Sequence, residues 1–182
     1  MGSKIKLDPE TIKNHVMELF FQRYKTYLNV EGFPYDAIDC VLSTGLDSIV
    51  DIRAKVSAFS ELKKQPYFEP LAIAFRRVVS ILNDEAEGDV DTGLLNEPAE
   101  KKLFEEYLKV RDPVFRHIQN KEFSQALEKI VEIKPAVDNF FEEVMVMVED
   151  VSLRKNRLHL LHQISGLFSG LADFSRIILK KG

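Results

Sequence analysis

Cysteine is nearly absent from this chain: Cys40 is the only thiol in 182 residues. One cysteine excludes an internal disulfide framework and a cysteine-based zinc site, and it suits a reducing cytosol. Long apolar runs are missing as well. No stretch approaches the roughly 18–20 residues that a membrane span requires, and none reads as a secretory signal. The expectation is a cytoplasmic chain with no membrane partner. There is also no phosphate-cradling glycine loop, no nucleophile elbow, and no HExxH or CxxC spacing. The residues therefore give no reason to expect a catalytic centre, a metal or a cofactor on this chain. Positive charge is scarce too. The formal net charge is −4, whereas a generic nucleic-acid binder is basic.

What is present is an ordinary soluble composition, 45% hydrophobic and 30% charged, with helical periodicity nearly throughout and no sustained strand alternation. Asp8-Pro9 is a helix start signal, with Ile12, Val16, Leu19, Phe20, Tyr24 and Leu28 falling on one side until Gly32. Further helices are expected over about Pro34 to Leu42, Asp47 to Lys64 and Tyr67 to Leu82. The last of these is apolar nearly all round and belongs inside a bundle. Residues 84–96 are acidic, contain Gly88 and Gly93, and read as a linker. A helix capped by Asn96 follows, and Pro113 should kink or break it. Helices over about Lys121 to Ile133, from Pro135 onward, and from about Leu153 to Lys180 complete the chain. The fold class is all-α, a bundle of about seven to eight helices forming one core or two packed sub-bundles. In domain terms, Met1-Gly2-Ser3 reads as a cloning remnant. Residues 4–83 form an N-terminal helical sub-bundle, 84–96 the linker, and 97–182 a second helical bundle.

Several residues invite a functional reading. His159 and His162, three apart, have metal-ligand spacing but no evident third ligand, so surface histidines are expected. Glu105-Glu106 and Glu142-Glu143 read as solvated helix faces, and Cys40, beside Ile38 and Val41, as a small core residue. The run FFEEVMVMVED, from Phe140, reads as helix core, with Met145 and Met147 on a second side. The cations Arg154, Lys155 and Arg157 occupy the opening turns of the last helix, where the helix dipole disfavours them by about 0.3–1 kcal/mol each. Seven-residue steps back from Leu171 and Ile164 reach Arg157, which therefore lies on the apolar stripe. Arg154 lies on its flank and Lys155 points away. A core-facing guanidinium needs a partner, and Glu142, Glu143, Glu149 and Asp150 are candidates. Arg157 is thus a structural ion-pair candidate. Arg154 and Lys155 stand between a solvated surface and a phosphate site at a helix start.

The stretch VMVMVEDVSLRKNRLHLLHQISGLFSGLADFSRI, from Val144 to Ile177, resembles the C-terminal signature of the bacterial glycyl-tRNA synthetase beta subunit family. EGFPYDAIDCVLSTGLDSIVDIRAKVSAF, FEPLAIAFRRVVSIL, NEPAEKKLFEEY and KPAVDNFFEEVMV agree with it in order and spacing, from about Leu7 onward. Where the family reads Asn after the Arg-Val segment, this chain has Ser80, while Asn156-Arg157 match the family's Asn-Arg-Leu. The resemblance implies an all-helical anticodon-binding domain of the DALR type over 97–182. It also implies a chain that recognises the anticodon arm of glycine tRNA without an active site of its own. The partners would be that tRNA, the alpha subunit and the rest of the beta chain, with ATP and magnesium used at the alpha subunit. Arg154, Lys155, Arg76, Arg77, Arg116 and Asn156 are the RNA-binding candidates. The alternative is a helical module that docks other synthetase domains or the alpha subunit without touching RNA.

Overall fold

The computed structural model describes residues 8–45, 48–82 and 86–178. Met1, Gly2, Ser3, Leu7, Asp47 and Lys180, and positions 84 and 85 of the acidic stretch, which figure in the sequence reading, lie outside them. Eight α-helices are found among the described residues: α1 (Pro9–Val30), α2 (Tyr35–Leu42), α3 (Ile49–Lys63), α4 (Phe68–Ile81), α5 (Pro98–Gln119), α6 (Phe123–Val131), α7 (Lys134–Glu143) and α8 (Val151–Gly166). Two 3-10 turns, Thr92–Leu94 and Phe174–Arg176, complete the all-α architecture.

The caps explain where the helices begin. Asp8 accepts from the backbone N–H of Thr11 at 3.2 Å, Ser48 from Asp51 at 3.2 Å, and Asp150 from Leu153 at 3.0 Å. Each satisfies one of the orphan donors of a first turn. The cap of α5 is Glu97 rather than Asn96, and Glu100 reaches back to its N–H at 2.8 Å.

Four expectations are corrected. Pro113 does not break α5, which runs through it to Gln119. Val110 and Val114 are buried on either side, and about 1.5–3 kcal/mol from each offsets the proline penalty of about 3. The last helix stops at Gly166, and the chain turns through Leu171 into a 3-10 turn, so that Phe168 and Phe174 enter the core separately. Third, residues 144–150 are not helical. Val144 and Val146 point inward while Met145 and Met147 point out, an alternation of period two. Fourth, Ile12, Val16 and Leu19 are exposed, leaving Tyr24 and Leu28 to anchor α1. Helix α1 packs on α2, and an eight-residue helix covers about 12 Å of an element about 33 Å long.

The middle of the bundle is an aromatic cluster. Phe75 stacks on Phe168 at 4.7 Å, and Phe174 meets Phe59, Phe75 and Phe168 at 5.4, 5.2 and 5.1 Å. A single contiguous core thus includes residues from both sides of the acidic stretch. From Ala86 to Asp91 the described part of that stretch lies against α8 as a strap. Ala86 is buried, the Asp89 carbonyl meets His159 Nδ1 at 2.9 Å, and Asp91 is held by Asn156.

Candidate nucleic-acid interface

The three cations at the start of α8 have three different surroundings. Arg157 is buried, and its Nε donates to Glu100 Oε1 at 2.5 Å. Its Nη1 donates to the Met145 carbonyl at 2.9 Å. The partner is none of the four carboxylates upstream of α8. It is the first-turn glutamate of α5, itself fully buried. Helix α5 runs across the start of α8 and delivers a carboxylate already fixed by its capping role, so the pair needs little further ordering. Arg154 is half-buried and donates from Nη1 to the Val148 carbonyl at 3.2 Å. Lys155 is exposed. Two of the three cations therefore grip the 144–150 connector between α7 and α8, and one faces solvent.

The other RNA-binding candidates are dispersed. Asn156 is buried, its side-chain oxygen accepting from the Asp91 N–H at 2.7 Å and its amide donating to the Asp91 carbonyl at 3.0 Å. Both ends of its amide thus hold the strap. Arg76 is half-buried and donates to the Ile177 carbonyl. Arg77 is exposed, its guanidinium carbon 4.2 Å from the Phe141 ring centroid. Arg116 is exposed near the far end of α5, about 24 Å along the axis from Glu100 at 1.5 Å per residue. No single basic patch gathers them all. Arg77 and the connector gripped by Arg154 and Arg157 do share one feature, an open groove of about 490 Å³ between α4 and residues 141–147.

Sequence reasoning missed Glu100 and Lys55, the latter buried with its Nζ 2.7 Å from the Gly170 carbonyl. A glutamate three residues after a cap position is a capping-box signal that marks Glu100 as fixed. Nothing local marks Lys55. Cys40 is fully buried in α2, and desolvation, reinforced by the Asp36 carboxylate, pushes its thiol up to about 12. His159 and His162 are both half-exposed. Among the described residues no group of three or more His, Cys, Asp or Glu side chains is placed to hold a metal ion, and no helix is long and apolar enough to cross a membrane.

A helical bundle whose final long helix is locked to its neighbours by a buried Arg–Glu pair is the setting in which the comparisons fall. Residues 71–172 match the family model of the DALR anticodon binding domain, which covers more than half of the chain. The chain belongs to that family. The match begins in α4, before the acidic stretch, and so includes the strap and both walls of the groove. Across nearly its whole length the chain is similar to glycine–tRNA ligase beta subunits. It is 35% identical to that of Syntrophus aciditrophicus over 178 residues, 98% of this chain and 26% of the relative. It is 37% identical to that of Geotalea daltonii over 168 residues, 92% of this chain and 24% of the relative. With that of Myxococcus xanthus the identity is 38% over 182 residues, 97% and 26% of the two chains. The chain thus spans about a quarter of the length of the curated relatives it matches.

Proposed function

We propose that this chain is the tRNA-recognition part of a glycine–tRNA ligase beta subunit and binds the anticodon arm of glycine tRNA. The observation that carries the reading is the match of an anticodon-binding family model over residues 71–172, more than half of the chain. In this reading Lys155 and Arg116, both exposed, contribute phosphate contacts that position the RNA. Bases are read by side chains that accept splayed nucleotides. Arg154, Arg157 and Asn156 act through the fold rather than by touching RNA. ATP, magnesium and the chemistry of aminoacylation belong to the alpha subunit. Such an acidic chain binds RNA weakly by itself and with a steep salt dependence, the remaining phosphate contacts coming from the rest of the ligase.

The test compares glycine tRNA with the same tRNA carrying a swapped anticodon, bound to the two-subunit ligase and to this chain. Preference for the glycine anticodon in both supports the proposal. Equal binding of the two tRNAs refutes it. A second reading, docking of other ligase domains or the alpha subunit without RNA contact, is favoured by the exposed Ile12, Val16 and Leu19 on α1. It predicts that Val16→Asp weakens assembly of the ligase and leaves anticodon preference intact.

A further inference from the structure

We infer that the groove between α4 and the α7–α8 connector is a reading site for one unstacked cytosine, with Arg77 as the stacking platform and Glu142 and Glu143 as the readers. The inference rests on the anticodon-binding function proposed above and assigns that function to residues.

The groove is built from three kinds of surface. Arg77 lies over Phe141, whose ring is largely covered, so the solvent-facing side of the stack is the guanidinium. Guanidinium planes and aromatic faces are what splayed RNA bases stack on. The opposite wall is Met145 and Met147, 73% and 53% exposed. These are flexible, polarisable side chains that adapt to the face of a ring. At the end of α7, Glu142 and Glu143 are exposed, and among the described residues neither is paired with a cation. A carboxylate at an RNA interface is repelled by phosphate, so its favourable contact is with a base amine.

The hydrogen-bonding edges select the base. Cytosine offers an exocyclic amine beside two acceptors, N3 and O2. A carboxylate accepts from the amine, the same pairing used to read cytosine in duplex grooves, while the guanidinium, stacked on the face of the ring, supports either pyrimidine alike. Uracil in the same pose sets its O4 acceptor against the carboxylate, leaving two acceptors facing each other. Glycine codons begin with two guanines, so glycine anticodons present two adjacent cytosines, and one of them is the occupant. The connector wall is fixed from behind, because Arg157 and Arg154 hold the Met145 and Val148 carbonyls. Those two arginines are positioning residues for the groove.

The experiment measures binding of this chain to glycine anticodon stem-loops carrying two cytosines, or uracil at either position, with melting curves confirming that each variant is folded. The native chain is expected to favour cytosine over uracil at one position by about tenfold, the yield of one good paired contact. Glu142→Gln/Glu143→Gln should reduce that ratio to about twofold or less, since an amide can turn to donate to O4. Arg77→Ala should weaken both stem-loops alike through loss of stacking. If the cytosine preference survives Glu142→Gln/Glu143→Gln undiminished, or Arg77→Ala leaves both affinities unchanged, the groove is not the reader, although anticodon binding itself stands. If the native chain lacks any cytosine preference, the anticodon-binding function fails first. If Met145→Asp abolishes ligase assembly while cytosine preference is unchanged, the groove seats a protein segment and the inference is overturned.

Discussion

Arg157→Ala isolates the contact on which the arrangement of α5, α8 and the connector depends. The Arg157 and Glu100 side chains are 6% and 1% exposed, so both charges are desolvated. Removing the guanidinium leaves the Glu100 carboxylate buried with the Glu97 N–H as its remaining hydrogen-bond donor among the described residues, and leaves the Met145 carbonyl without its donor. Breaking one side of such a pair costs about 3–5 kcal/mol. For a chain of this size that corresponds to a melting temperature lower by about 6–20 °C, at roughly 2–4 °C per kcal/mol. The attribution to an uncompensated charge is checked with Glu100→Leu/Arg157→Met. There both charges are gone, and the remaining losses are the capping contact, about 1 kcal/mol, and the hydrogen bond to Met145, about 1 kcal/mol. The double variant should therefore be more stable than either single variant in urea titrations followed by circular dichroism. If its loss equals the sum of the two single losses, the charge-burial reasoning is wrong. If Arg157→Ala costs less than about 1 kcal/mol, the pair is solvated in solution as surface pairs are.

Lys155→Ala should weaken tRNA binding about equally for every anticodon and flatten the salt slope by about 0.7–1, without changing the melting temperature. Arg154→Ala should instead lower stability by about 1–2 kcal/mol through the lost Val148 contact, a split visible when filter binding and thermal melts are run side by side. At Gly88, φ is +155° and an added Cβ would sit 2.6 Å from His159 Cε1. Gly88→Ala should therefore speed hydrogen exchange across the strap, residues 86–91, at a cost of about 1–3 kcal/mol. Gly88→Ala/His159→Ala should keep only the backbone part of that cost. Cys40, with its thiol pushed from 9.0 to about 12, should resist thiol reagents at pH 8 until the protein unfolds. Because the native thiol holds its proton while the unfolded one ionises, its contribution to stability is whole below pH 9.0. It is lost as pH rises from there toward about 12. Cys40→Ala should show a shallower alkaline fall in urea midpoints over that window.

The helices were legible because their signals are local. Caps such as Asp8 and Asp150 and the seven-residue steps that place Arg157 on the apolar stripe all act within one or two turns. What escaped was decided between elements. The buried partner of Arg157 lies 57 positions away, and no spacing rule in α8 could single out Glu100 over the closer Glu142, Glu143, Glu149 or Asp150. The alternation of Val144, Met145, Val146 and Met147 fits a helix poorly and a strand well, and it was outweighed by the helical spacing of the phenylalanines just before it. Acidity, two glycines and the lack of a strong period read 84–96 as a linker, and these local signals do not say what the segment packs against. In the described part, the Asp91 N–H and carbonyl find their partners on Asn156 and the Asp89 carbonyl finds His159, both on α8. All the RNA-binding candidates but Asn156 rest on charge, which says nothing about whether a side chain such as Arg76 turns inward to bond a carbonyl.

The buried pair and the exposed groove are parts of one device. An irregular connector with no strand beside it among the described residues has backbone groups to satisfy beyond the single turn bond from the Val148 N–H to the Val146 carbonyl. Residues 144–150 take two of their carbonyl partners from arginines of α8, and Val144 and Val146 anchor their side chains in the core. With the valines fixed inward, period two forces Met145 and Met147 outward together. The methionine wall is thus a geometric consequence of the buried contacts. Arg154 and Arg157, unfavourable for the helix dipole at the start of α8, serve the connector. A charge that cannot be neutralised, set on a side chain with several donors, can hold both a carboxylate on α5 and a carbonyl on the connector. Lysine at position 157 would keep the charge but lose the fork, so Arg157→Lys should retain much of the stability while loosening the 144–150 connector in hydrogen exchange. Under the proposed function, that looser wall would read anticodons less sharply without a change in net charge.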